Sequence, residues 1–458
     1  MRQSNSRSVV IINLPGAWRA VLLLPVILAV LGSWYVVHWY IGDTIAEYSV
    51  DVEGGVDLAQ LAVKWAPADP FAHFMLGDLE QRDFNLDNLA NAVREYETAV
   101  TLAPNDYRYW MALGRALEAS GDTNEAERVL RHVVELAPAY SYPRWHLGNL
   151  LLREGKQDEA FRELTKASQG DPQLRPQVFN LAWEVFAGDA DQIAGITCPT
   201  PDARADLAVY LANRTEFDKA MRIWSGISSK DKKSLRESGD MLKKSLFDSG
   251  QFHHVLEIMR DFEPDANSLP QPEKFSNAGF ETETAPRGLG KFGWAINSSP
   301  QAQISIDHTQ WHSGRGSLKI VFKAPTTLDA IDVSQLVIVE PDTSYRLEFY
   351  ARTGDLRSAS TPLAQIINSV DKSVLATSTP LPDGTNEWQT VTLEFKTKPG
   401  MEGILIRFVR AGCGQDSVCP IFGTVWYDDF NLQRVSGRPV ASPGAGDNGR
   451  NGNIVRQR

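Results

Sequence analysis

Pro104, Pro138 and Pro172 stand 34 residues apart, and no other feature of the chain restricts its fold so tightly. From Pro104 the sequence passes Trp110, Leu113, Gly114, Leu117, Ala126, Leu130 and Val133 on the way to Pro138. From Pro138 it passes Leu147, Gly148, Leu151, Ala160, Leu164 and Ala167 at the same offsets on the way to Pro172. A fixed period of this length marks a stack of like helical units, each needing a neighbour to cover its apolar face. Within a unit, glycine lets two helices approach closely, a small alanine sits where they cross, and proline ends the second helix. An earlier unit shows Leu76, Gly77, Ala92, Tyr96, Ala99 and Pro104, with an insertion in the turn near "RDFNLDN". Weaker units follow at Leu207, Ala220, Trp224 and Ile227, and at Leu242, Gly250, Val255 and Met259, while the register is poor between Arg175 and Thr200.

These landmarks resemble the tetratricopeptide repeat, whose pattern runs W-x2-L-G-x2-Y, then alanine, a large apolar residue, alanine and proline. The resemblance implies a curved all-α solenoid over residues 56–265, with a concave face built mainly from the first helix of each pair. It also places particular residues in that groove: Phe71, Phe74 and Asp78; then Arg108, Met111, Arg115 and Glu118; then Tyr142, Trp145 and Asn149, with Leu152 beside them. Aromatic rings interleaved with arginine and asparagine suit a peptide or protein helix. The alternative for Phe74 and Trp145 is packing against the next repeat.

Residues 20–41, AVLLLPVILAVLGSWYVVHWYI, carry no formal charge. As a helix this stretch measures about 33 Å, enough for a bilayer core of about 30 Å. Trp34, Tyr35, Trp39 and Tyr40 gather at one end and Trp18 at the other, where amphipathic rings prefer the membrane interface. Arg2, Arg7 and Arg19 precede the stretch, whereas Asp43, Glu47, Asp51 and Glu53 follow it. The positive-inside rule then puts residues 1–19 in the cytoplasm and everything beyond Gly42 outside a single-pass inner-membrane anchor. A cleaved signal peptide is the rival reading, but the apolar run is long for one and no small-x-small site follows closely.

After Pro272 the texture changes. Eight alternating runs, from AQISID to TVWYDDFNLQRV, are separated by Gly, Pro, Asn and Asp clusters and predict an antiparallel sandwich over 274–435. The order of landmarks is NAGFE at 277–281, Trp294, HSGRGSL at 312–318, YRLEFYAR at 345–352, WQTVTLEF at 388–395 and WYDDFNL at 426–432. That order resembles the jelly-roll carbohydrate-binding modules of the 4/9 type and their galactose-binding-like relatives. The resemblance implies a structural calcium clamping the first strand to the last through Glu281 and Asp429, with Asp428 as a substitute. Oxygen ligands from both chain ends suit that hard cation; no other cofactor is implied. A sugar site needs an exposed aromatic platform, because pyranose faces stack on flat rings. Trp294 and Trp311 fall in loop-like sequence and are the predicted platform. Trp388 is assigned to the core and Trp426 to a structural role. Exposed side by side, Trp294 and Trp311 favour a glycan; buried, they favour protein contacts.

Cys413 and Cys419 flank a short turn and suit a disulfide in an oxidising compartment, the alternative being two thiols; Cys198 has no mate. The Gly-, Pro- and Arg-rich tail at 436–458 reads as disordered. A net charge of −11 disfavours nucleic acid as partner. No phosphate-binding loop, zinc-protease or nucleophile-elbow motif occurs. The fold class is thus multidomain: transmembrane helix, all-α solenoid, all-β jelly roll. The expected role is a non-enzymatic, extracytoplasmic scaffold that recruits a protein in the groove and contacts a glycan through the sandwich, in envelope or exopolysaccharide assembly or export. The rivals are a pure protein assembly factor and an enzyme acting on cell-wall glycans, the latter needing two carboxylates facing one cleft.

Overall fold

The computed structural model describes residues 21, 23–82, 86–263, 265, 268–282, 290–323, 328, 331–413 and 419–435. Trp18, the leading arginines, the insertion at 83–85 and the 436–458 tail lie outside the described residues. The chain divides into two compact units, Met1–Pro199 and Thr200–Arg458, so the boundary falls inside the segment that the period treats as one solenoid.

The first unit begins with α1 (Leu23–Tyr48), long and apolar enough to cross a membrane. This helix runs seven residues beyond Ile41, the expected end of the span, because its last two turns pack on protein. Gly42 and Ala46 are buried there against α2 (Gly55–Trp65). Helix pairs follow: α3 (Pro70–Arg82) with α4 (Leu86–Leu102), α5 (Tyr107–Ser120) with α6 (Thr123–Leu136), and α7 (Ser141–Arg153) with α8 (Gln157–Gly170). The repeated glycines do what the period requires. A Cβ on Gly77, Gly114 or Gly148 would stand 2.9, 2.8 or 2.6 Å from Tyr96, Leu130 or Leu164 of the partner helix. Any larger residue there would force the pair apart. Ala92, Ala126 and Ala160 are wholly buried at the crossings. The stretch of poor register is a shorter pair, α9 (Arg175–Val185) and α10 (Ala190–Thr197).

The second unit opens with α11 (Pro201–Asn213), α12 (Phe217–Ser225), α13 (Ser229–Lys232), α14 (Arg236–Asp248) and α15 (Phe252–Phe262). Trp224 is fully buried and donates its indole N–H to Asp261 at 2.7 Å, and Lys232 reaches the same carboxylate at 3.0 Å. Among the described residues ten strands follow: β1 (Ala295–Asn297), β2 (Ala302–Asp307), β3 (Ser317–Phe322), β4 (Asp332–Ile338), β5 (Ser344–Ser358), β6 (Pro362–Asn368), β7 (Val374–Thr377), β8 (Gly384–Lys396), β9 (Gly403–Arg410) and β10 (Ile421–Arg434). They form two antiparallel sheets, ordered β1-β4-β9-β6-β7 and β2-β3-β10-β5-β8. The two strands beyond the eight expected, β1 and β7, are edge strands of three and four residues, too short to alternate visibly. Phe280, Tyr345, Phe349, Phe408 and Tyr427 fill the space between the sheets.

The outer side of the first sheet is not bare. Phe252 of α15 is buried, and a Cβ on Gly403 of β9 would come within 2.5 Å of its ring. Glu402 accepts the His253 backbone N–H at 2.8 Å. The Phe247, Phe252 and Phe292 rings meet edge to face, while outward-facing Leu336 and Ile338 of β4 are almost wholly covered. The last helix pair therefore serves as a lid on this sheet.

Candidate functional site

The first helices of three successive repeats, α3, α5 and α7, each bring side chains to a common groove. Two cavities open there. One, of about 480 Å³, is lined by Phe74, Asp78, Arg108, Met111, Arg115 and Tyr142 among others. The second, of about 550 Å³, is lined by Arg115, Glu118, Trp145, His146, Asn149 and Arg153 among others. Gln81 and Arg115 belong to both, so the two are continuous along the stack. Nine of the ten groove residues predicted from the repeat register line these cavities. Phe71 does not; its ring stacks 6.4 Å from Phe74. Leu152 packs against the repeat core instead. Phe74 serves both of its expected roles, lining the groove while touching Tyr96 and Tyr109 at 5.9 and 5.3 Å between centroids.

Sequence register missed Arg82, Tyr107, His146 and Arg153, which also reach the groove. They lie one helical turn from, or beside, the expected positions, and helix periodicity alone could have supplied them. The charged groups pair along the walls: Arg82 with Asp78 at 2.7 Å, Arg108 with Asp106 at 2.5 Å, and Arg153 with Glu118. Burial and the nearby Arg115 guanidinium push the His146 imidazole down to about 4, so it stands neutral at physiological pH.

The sandwich departs from expectation at its tryptophans. Trp294 is no open platform, since its ring is enclosed by Phe275, Phe280 and Phe430 at 5.9, 5.0 and 5.0 Å. Its buried indole N–H has no hydrogen-bond partner, and its remaining edge lines a cavity of about 560 Å³ with Phe247, Phe252 and Lys291. The segment reads as loop because only β1 follows it, yet a wide aromatic ring adjoining a core is drawn in by apolar burial. Trp311 does remain exposed, at 42%. Trp388, expected in the core, is half-buried and meets the His312 ring at a steep angle, 5.9 Å between centroids. Trp426 faces outward from the second sheet between Lys319 and Arg352, and its N–H donates to Asp307 at 2.8 Å. On the same face His312 stacks on Tyr350 at 3.5 Å.

The predicted calcium ligands do come together. A Cβ on Gly279 would lie 3.4 Å from Asp429 Oδ1, 3.4 Å from Glu281 Oε1 and 3.6 Å from Asp428 Oδ1, so the missing side chain leaves a cradle ringed by three carboxylates. That spacing is wider than calcium–oxygen bonds of about 2.3–2.6 Å. Each group also has protein partners. Glu281 accepts the Arg315 N–H, Asp428 accepts the His312 and Ser313 N–H groups, and Asp429 holds His312 Nδ1 at 2.6 Å and the Ser313 hydroxyl at 2.7 Å. Burial, with the neighbouring Asp429 charge, lifts Asp428 to about 6 against these amides. No cluster of three or more His, Cys, Asp or Glu among the described residues has its donors gathered for a metal ion. Cys413 and Cys419 are disulfide-bonded with Cα atoms 5.5 Å apart, and the Cys419 carbonyl accepts from buried Arg410 at 2.7 Å.

Fold and groove together define a helical-repeat scaffold carrying a β-sandwich. Residues 86–151 match the family model of the tetratricopeptide repeat, and the chain therefore carries that repeat. Among solved structures, it is similar to MamA from Desulfovibrio magneticus RS-1 (residues 41 to the end) at 15% identity, covering 42% of this chain and 93% of that one with a TM-score of 0.28. It is similar to a structure described as CBM4 at 16% identity, covering 35% of this chain and 100% of that one with a TM-score of 0.27. It is also similar to the CBM22-1 xylan-binding domain of Paenibacillus barcinonensis Xyn10C at 12% identity, covering 35% and 94% with a TM-score of 0.23. No curated protein matches the chain.

Proposed function

We propose that this chain is a non-catalytic scaffold, anchored in a membrane by its N-terminal helix, that recruits a partner protein in the repeat groove. The supporting observation is the continuity of the two cavities through Arg115, which gives an extended binding surface across three repeats. The sandwich would be a second docking module. A photocrosslinker at Tyr142, in the groove, tests this in intact membranes against one at Glu135, which is exposed on a second helix. Recruitment predicts discrete adducts from Tyr142 alone. Equal labelling from both positions, or none from Tyr142, would remove the reading.

A second reading, contact with an envelope or exported polysaccharide outside the cytoplasm, is favoured by exposed Trp311 beside the His312–Tyr350 stack. Retention of the full chain on immobilised polysaccharide, lost on Trp311→Ala, would support it. A structural calcium is proposed for the Gly279 cradle, where Glu281, Asp428 and Asp429 would tie the opening segment to the closing strand.

A further inference from the structure

We propose that the groove selects acidic segments of its partner, with Arg115 as the residue that receives a carboxylate. The inference rests on the recruiting reading above and specifies its chemistry. Four arginines, Arg82, Arg108, Arg115 and Arg153, line the joined cavities against two carboxylates, Asp78 and Glu118. A chain of net charge −11 thus gathers four arginines in this groove. The arginines are not equivalent. Arg82, Arg108 and Arg153 are each held by a carboxylate of their own chain. Arg115 is exposed and has no hydrogen-bond or ion-pair partner among the described residues, although it sits where the cavities meet.

The two carboxylates that share its cavities, Asp78 and Glu118, are already engaged by Arg82 and Arg153. Tyr142, Met111, Trp145 and His146 line the same cavities and burial keeps His146 neutral, so among the described residues Arg115 is the one arginine of the four without a carboxylate paired to it. A carboxylate bound by this exposed guanidinium makes a charge-assisted, bidentate hydrogen bond. Exposed Tyr142 and half-buried Trp145 on either side give an apolar residue next to that carboxylate a surface to lie on. The tail of this chain is a poor occupant, because Arg438, Arg450, Arg456 and Arg458 outnumber its single acidic residue, Asp447.

The test uses the full chain in lipid nanodiscs and a display library of random linear peptides as probe. The proposal expects the selected peptides to be enriched in Asp and Glu and to bind about tenfold more weakly to Arg115→Glu, as losing one charge-assisted bond implies. Selection repeated on Arg115→Glu should reverse the preference toward Lys and Arg. Because Arg115 is exposed, circular dichroism of the variant should match the parent. Groove peptides that lose binding on Tyr142→Ala but show no acidic bias, and are indifferent to Arg115→Glu, would overturn this proposal and leave recruitment standing. Peptides unaffected by either substitution, or no selection at all, would overturn both.

Discussion

Gly42 of α1 rests against Ala66 at the end of α2: a Cβ on Gly42 would lie 2.4 Å from the Ala66 Cβ. The apolar helix and the repeat stack therefore meet almost backbone to backbone, with Ala46 wholly buried in the same contact. Gly42→Val should lower stability by about 1–3 kcal/mol, as overpacking of a tight contact does. Thermal unfolding in nanodiscs checks this; an unchanged midpoint would mean that the contact does not hold the stack.

Trp294 and Trp311 should separate cleanly. Trp294→Ala removes a ring shared by Phe275, Phe280 and Phe430 and should cost about 3 kcal/mol or more. Trp294→Phe should cost far less, since it keeps apolar contact and deletes a buried N–H that lacks a partner. Trp311→Ala, at an exposed site, should stay within about 0.5 kcal/mol. Denaturant melts of the three variants decide it.

The folded state depresses the His146 pKa to about 4, from an ordinary value near 6.5. A base whose folded pKa is depressed binds its proton more readily once unfolded, so the repeat loses stability as pH falls from about 6.5 toward 4. His73 behaves oppositely. Burial opposes its cation, but the Glu95 hydrogen bond and the Pro67 carbonyl prevail and raise its pKa. Its contribution is complete below the unfolded value and fades as pH rises through the folded one. His146→Gln should flatten the acid side of the stability profile; an unaltered slope between pH 6.5 and 4 would refute the assignment.

The helix pair α14–α15 belongs with the sandwich, as the Phe252–Gly403 contact and the His253–Glu402 hydrogen bond show. A fragment of residues 200–435 should fold and remain monomeric. A fragment of 274–435 uncovers Leu336 and Ile338 together and should aggregate. Light scattering of the two fragments is the check, and equal behaviour would mean that the lid is dispensable.

Calcium should raise the melting temperature above that in chelator, and Asp429→Asn should abolish the increment. Identical melts with and without calcium would leave the clamp to its hydrogen bonds with His312, Ser313 and Arg315.

Repetition made the solenoid readable, because Gly114 and Gly148 occupy the same offset and face the same kind of neighbour. Groove residues followed, since position in a repeat determines direction. The strands of the sandwich were legible where alternation ran for six residues or more, and invisible at β1 and β7. Trp294 was misjudged because loop sequence does not reveal which rings will close over it. The lid could not be foreseen either: contact between Phe252 and Gly403 spans about 150 residues, and neither residue carries a local mark of it.

The run of α1 into the stack has a mechanical consequence. At 26 residues it is a rod of about 39 Å, and the helix runs unbroken through Gly42, where it meets the stack. Tilting or rotating its apolar end swings the groove with it, so a change in bilayer thickness, or a neighbour gripping the rod, would re-aim Arg115 without touching it.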